Sequence, residues 1–593
     1  MRIKILIMKR LKNLYLTITG SLLIAVFPAC RDLDEYNPSN ATADLVWSTP
    51  EGFVTAVNGA YFEQRNWYTK ENGIFMGESG TDLWYNRERD GYARQLTQYS
   101  GLTALDGNPN RAVWESLWKA INLCNAGINR INDAGFTDQV EKNKREGELR
   151  FLRAFYYWHV VETWGGVMLR TEETKSPVLT ATRSSVSDFY NLIISDLEFA
   201  AQNLPSQQQW GEEYSRASNK SALGFLSRAL LSRAYYSLEA GNKAEADSYF
   251  ARARDVARDI ISRKAALGVD LWATPQQMWD PANNKRNKEA LYTISTSSNI
   301  GLNIEPSPNR VFMTFQSPYT GSLKPAMQYS LAYGYDNQRR LMPTLTLLNY
   351  FDETIDARYG ASFQEAWIAN STNYTWTTAS ATAFGKDPSV VGKVITSGID
   401  TALYITKKRI SNKALRPYVV IDRDSIYNAN GTIRAGTRDF VTLKKFMDPM
   451  RESAASTVGT RDVIVMRLAE IYLIAAEAEF QLGNSTGAAE MINVLRTRAA
   501  LPGKTAEMQV TADQVNVDFI LEERARELCG EYMRWFDVKR MKYNNKGQDF
   551  VDFIRARNPD ITLVQPFHRL RPIRQEELNA LLNGAEFGQN PGY

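Results

Sequence analysis

Between Asp462 and Met541 the apolar residues recur at the spacing of a helix face. Leu468, Ile471, Tyr472, Ala475, Ala476 and Phe480 fall at i, i+3 and i+4 steps, which puts them on one side of a helix. Gly483 and Asn484, which tolerate the left-handed backbone of a helix end, mark its stop. A second stripe at Ala488, Ile492 and Leu495 predicts a second helix. Two helices and a turn in about 34 residues have the size of one tetratricopeptide unit.

The same pattern occurs earlier and can be laid over the later one at a constant offset. Leu231 then matches Leu473, Ala234 matches Ala476, Gly241 matches Gly483, Ala246 matches Ala488 and Phe250 matches Ile492. The small residue of each second helix lets two helices approach closely, and the bulky one four residues later fills the groove beside it. Further helices are predicted from Thr49-Pro50-Glu51, over Trp114 to Ile131, over Gly147 to Leu169 with a stop at Gly165-Gly166, and from Ser187-Asp188. Arg150 and Arg153, beside Glu146 and Glu148, suit charge pairs between packed helices. His159, Cys124 and Cys529 read as core residues.

From about residue 266 to 460 the pattern changes. Gly, Pro, Ser, Thr and Asn become frequent and helical stripes shorten, while residues 289–295, EALYTIS, read as a strand. Rings are spaced along loops there, at Tyr319, Tyr329, Trp367 and Trp376. Loops hung on a rigid frame are where binding residues concentrate. Trp84 and Tyr85 form a second candidate platform, next to Asn86 and Arg87. Neighbouring side chains alternate in direction along an extended backbone, so at least one of the two rings is predicted to be exposed.

Residues 1–29 carry a basic start and a short apolar run, the form of a secretory signal, and Cys30 follows at the cleavage point. The expected organisation is residues 1–29 as signal, 30–265 as a helical region, 266–460 as the loop-rich ring-bearing part and 461–593 as a return to the helices, with 30–593 one globular unit. A formal charge of +4 on 593 residues gives no electrostatic footprint for nucleic acid. Three Cys and two His leave little for a zinc site, and no cofactor or metal is expected. Gly-rich phosphate loops and H-E-x-x-H are absent from the sequence, and the G-x-S-x-G match at Gly483 to Gly487 falls in the turn between two predicted helices, not in the strand-to-helix turn that a nucleophile elbow requires. The 13 Trp and 29 Tyr point instead to a core and a binding surface rich in rings.

GELRFLRAFYYWHVVETWGG, RLAEIYLIAAEA with INVLRTRA, EERARELCGEYMRWFDVKR, and the closing LRPIRQEEL and QNPGY follow Cys30 in order. Together they resemble the SusD/RagB nutrient-uptake lipoproteins of the Bacteroidetes outer membrane. Arg574 departs from that pattern, which often carries Pro there, and Phe27-Pro28 departs from the usual lipobox. The resemblance implies a mainly α fold, a scaffold of about four tetratricopeptide-like helix pairs with long loops and a few short strands draped over it. It also implies lipid on Cys30, a place on the outer membrane facing outward, and a SusC-like TonB-dependent transporter as partner. The function implied is capture of oligosaccharides without catalysis. Peptide capture by the same scaffold is the alternative, a surface glycoside hydrolase a remote one, and a structural adaptor would leave the ring-bearing loops without a purpose.

Overall fold

Thr49 opens the first long helix, α1 (Pro50–Trp67): its hydroxyl accepts from the Gly52 amide and Pro50 supplies a preset first turn. The computed structural model describes residues 43–86, 91–105, 110–297, 299, 309–335 and 341–593, so Cys30 and Arg87 lie outside the described residues. Seven more helices complete a frame: α2 (Asn110–Arg130), α3 (Gln139–Trp164), α4 (Val186–Asn203), α5 (Asn219–Glu239), α6 (Lys243–Ser262), α7 (Leu468–Gln481) and α8 (Ser485–Ala499). Each packs on the next in chain order, α6 against α7 included, so four antiparallel pairs stack into one array.

The two aligned units superpose in detail. Leu231, Ala234, Ala246 and Phe250 are buried, as are Leu473, Ala476, Ala488 and Ile492. Gly241 and Gly483 have φ of 77° and 83°, which only glycine adopts without strain. The Asn242 amide donates to the Ser237 carbonyl at 2.8 Å and the Asn484 amide to the Glu479 carbonyl at 2.9 Å, closing each first helix alike. Asn484 thus helps to close α7 with its backbone, as its place after Gly483 suggested, and has a second role as well. Its side chain accepts from the Gly487 amide at 3.0 Å and caps α8, as Asn242 caps α6 through Glu245.

α3 starts earlier than its apolar pattern shows, because Asp138 caps it from the Val140 amide. It ends at Gly165, φ 73°. Arg150 and Arg153 both reach Asp196 of α4, at 3.0 and 2.8 Å, so the expected charge pairs cross between helices of one unit. His159 is buried among rings, and burial pushes its imidazole down to about 3, which keeps it neutral. Cys124 and Cys529 are buried free thiols.

Between α6 and α7 the chain leaves the frame and returns through one ladder. β2 (Ala290–Ile294) pairs antiparallel with β7 (Val463–Arg467), and β7 runs straight into α7. The excursion between them carries short elements only. β3 (Leu341–Pro343) pairs with β1 (Trp84–Asn86), and β4 (Ala366–Ile368), β5 (Thr401–Ile405) and β6 (Val419–Ile421) form a small mixed sheet in that order.

Charged residues of α9 (Val517–Leu528) and α10 (Arg534–Met541) tie this layer to the frame. Arg467, at the end of β7, reaches Glu289 at 2.8 Å, Glu527 at 2.7 Å and Glu531 at 2.7 Å. Arg358 of the layer reaches Glu523 at 2.8 Å, Lys445 reaches Glu531 at 2.9 Å, and Arg540 reaches Glu477 of α7 at 2.9 Å. All of these residues are buried. Burial alone would raise the carboxyls of Glu523, Glu527 and Glu531, but the facing cations outweigh it and hold all three below the ordinary range.

Candidate ligand-binding site

The structure corrects the expectation of an exposed ring at Trp84 and Tyr85. Trp84 is 0% and Tyr85 3% exposed, and Asn86 is buried as well. The alternation of side chains holds, but both faces of β1 are covered, so neither direction leads to solvent. The Trp84 indole donates to Glu78 at 2.6 Å and packs against Phe315. Glu78 also accepts from the Gly530 and Met533 amides, and burial pushes its carboxyl up to about 7. Asn558 donates to the Thr81 and Trp84 carbonyls, closing the segment from a third side. These residues belong to the core joining frame and layer.

The other ring set divides in two. Trp376 is buried against Tyr374 and Phe384, with its indole donating to the Pro417 carbonyl at 2.6 Å. Tyr319, Tyr329 and Trp367 come together. Tyr319 stacks on Trp367 at 6.2 Å, and Tyr329 and Tyr333 meet it edge-on. Tyr319 and Trp367 are buried and serve as footing, whereas Tyr329, Tyr333 and Tyr335 are partly exposed.

The footing is built by hydrogen bonds as well as rings. The Tyr319 hydroxyl donates to the Gly334 carbonyl at 3.0 Å and accepts from the Ser330 amide at 3.2 Å. The Gly334 amide donates to the Ser330 carbonyl at 3.0 Å, so residues 330–334 close into a tight turn. Gly334 has φ 79°, and a Cβ there would meet Met447 and Gln316. The turn thus presents Tyr333 and Tyr335 from a fixed backbone. Tyr333 is held again where its oxygen accepts from the Ile368 amide at 2.8 Å. Beside it the side chains of Gln328 and Asn370 each donate to the other's backbone carbonyl at 3.0 Å.

Ala332 of the turn also lines a cleft of about 340 Å³, together with Trp279, Asp280, Gln364, Lys444 and Met447. Buried Arg461 braces its wall, donating to the Met447 carbonyl at 2.6 Å and the Trp279 carbonyl at 3.4 Å. Burial lowers the Lys444 ammonium from its ordinary value. The cleft itself carries one partly exposed ring, Trp279, with amides, an ammonium and a carboxylate, and through Ala332 it adjoins the turn that carries Tyr333 and Tyr335. Such groups are the means of stacking on an apolar face while bonding to its hydroxyls. Among the described residues no group of three or more His, Cys, Asp or Glu could hold a metal.

Sequence reasoning missed Trp279, Tyr333, Tyr335 and Lys444. A signal existed for the tyrosines, since they flank a glycine in AYGYD. Trp279 and Lys444 carry none, because each reaches the cleft only through the long-range fold.

Comparison with known proteins covers most of the chain. Residues 314–593 match the SusD family model, and residues 35–231 match a family described as starch-binding associating with outer membrane. SusD-like protein P38 of Formosa agariphila is 24% identical over 545 residues, covering 90% of this chain and 92% of that protein. A SusD-like protein of Bacteroides ovatus is 23% identical, covering 86% of this chain and 80% of its own length. Among solved structures, a laminarin binding SusD-like protein superposes with a TM-score of 0.60 at 18% identity, over 92% of this chain and 100% of its own. Surface glycan-binding protein A from Bacteroides fluxus gives 0.62 at 17%, with the same coverage. At these identities the superpositions establish the shared fold.

Proposed function

Because the chain belongs to the SusD family, we propose that it is a non-catalytic binding protein of the cell surface that captures oligosaccharides and delivers them to a SusC-like TonB-dependent transporter. The observation that carries this reading is the fixed tyrosine turn beside the 340 Å³ cleft, with Tyr329, Tyr333 and Tyr335 partly exposed over buried Tyr319 and Trp367. Stacked rings with amides and an ammonium suit a sugar, whose faces are apolar and whose edge is hydroxyl. Two of the superposing proteins, one laminarin binding and one glycan-binding, favour saccharide over peptide.

The rest of the reading comes from the leader. Cys30 carries lipid and holds the chain on the outer membrane, facing outward. Among the described residues no helix is long and apolar enough to cross a membrane. Replacing Cys30 by Ala releases the protein to the soluble fraction in cells lacking the transporter. An array of oligosaccharides and peptides decides the ligand class: saccharides are retained and recovered chemically unchanged. Retention of peptides alone, or conversion of a saccharide, would overturn the reading.

A further inference from the structure

A second cleft, of about 450 Å³, opens between α1, the turn at residues 212–216 and the end of β2. Asn58, Phe62 and Gln64 line one side, and Arg216, Thr293 and Ser295 the other. It shares no lining residue with the cleft beside the tyrosine turn.

Two of its lining groups have no partner in the protein. Gln64 is 1% exposed; its Oε1 accepts from the Tyr292 hydroxyl at 2.7 Å, and its Nε2 donates to nothing. Whichever way the amide is turned, one of its two ends stays unpaired. Thr293 is 4% exposed and its hydroxyl is also unpaired. Buried polar groups are nearly always hydrogen-bonded in folded proteins, so two orphans lining one cleft call for a partner that the chain does not supply.

The charges around them are already committed. Arg216 is held by Glu148 at 2.9 Å, by Glu213 at 3.0 Å and by the Asn58 side-chain Oδ1 at 2.7 Å. Glu212 pairs with Arg286 at 2.8 Å, and Arg65 is also engaged. With Arg216, its buried charge, paired to buried Glu148, the cleft keeps no buried free charge to select an ion. What it offers is an amide, hydroxyls of Ser215, Thr293 and Ser295, and at the rim the Phe62 ring, 37% exposed.

We infer that this cleft is a second ligand site, for a neutral saccharide of one or two rings. An apolar ring face lies on Phe62, and the hydroxyls reach the unpaired groups of Gln64 and Thr293. The site works independently of the tyrosine turn, and the two separate in solution.

The test is saturation-transfer NMR and calorimetry on the full chain, with maltose, cellobiose, laminaribiose and lactose as probes. In a Tyr333→Ala/Tyr335→Ala background, at least one probe still binds. Adding Thr293→Val lowers that residual affinity about fivefold or more, and leaves the melting temperature unchanged or higher because an unpaired buried hydroxyl is removed. Adding Phe62→Ala, at the exposed rim, weakens it in the same direction. Absence of residual binding overturns the inference. So does residual binding that both Thr293→Val and Phe62→Ala leave unchanged, which would make the cleft a place for water only. The tyrosine turn is judged separately, by the loss between the native chain and the tyrosine background.

Discussion

The helix pairs α5–α6 and α7–α8 and the layer between β2 and β7 are built by different means. In the pairs, Ala234, Ala246, Ala476 and Ala488 let helices approach, and Phe250 and Ile492 fill the grooves between them. Their contacts are short-range and repeat. In the layer, strands run two to five residues and much of the fixing comes from far away. Arg358 is held by Glu523, 165 residues on, and Lys445 by Glu531, 86 residues on. A periodic apolar stripe supports a frame by itself, whereas a loop layer needs polar partners delivered to it. The layer buries rings of its own, Tyr319, Trp367 and Trp376 among them, but in separate clusters with no repeating stripe.

The contrast breaks most visibly at Arg467. Arg467→Ala takes the shared cation from buried Glu289, Glu527 and Glu531, leaving Arg498 beside the first two and Lys445 beside the third, and should cost about 3 kcal/mol in urea unfolding. The same network sets a pH dependence. Glu523, Glu527 and Glu531 are held below their unfolded value of 4.5, so their contribution is full above that pH and is lost as pH falls toward the folded values. The native urea midpoint should drop between pH 5 and 3, and drop less in Arg467→Ala. A native midpoint that stays flat over that range would remove the network from the account.

Trp84→Ala should cost a similar amount, about 3–5 kcal/mol for an emptied core site. It also takes from Glu78 the shortest of its hydrogen bonds. A variant that melts like the native chain would return Trp84 to the surface. Ala488→Leu should cost about 1–3 kcal/mol by overpacking, and Ala246→Leu a similar amount, since the two occupy equivalent places. A large difference between them would break the equivalence of the two units.

The frame was legible because a helix repeats its neighbours every few residues. Gly241 and Gly483, with the small and bulky residues after them, fixed the unit and its register before any coordinates. Asn484 was read only as a stop, and its second role was not, because the residue that closes one helix with its amide also caps the next with its side chain. The ligand-binding part was legible only as a region. Tyr319, Tyr329 and Trp367 do meet, yet two of the three are footing. No local pattern distinguishes a ring that supports a turn from one that the turn presents. Trp84 and Tyr85 were misplaced for a related reason: alternation gives the direction of a side chain, and burial depends on what lies in that direction. Here the Trp84 ring meets Phe315, and Asn558, 474 residues later, closes over its backbone.

The central claim is that the tyrosine turn receives the ligand while the core beneath it only holds the turn. Calorimetry of the native chain, Tyr333→Ala and Tyr335→Ala with an oligosaccharide retained on the array tests it most directly, with melting curves taken alongside. Each substitution should weaken binding by about fivefold or more, on the order of 1 kcal/mol for one stacking ring, and change stability far less than Trp84→Ala does. Undiminished binding in both variants, with folding intact, would contradict the account.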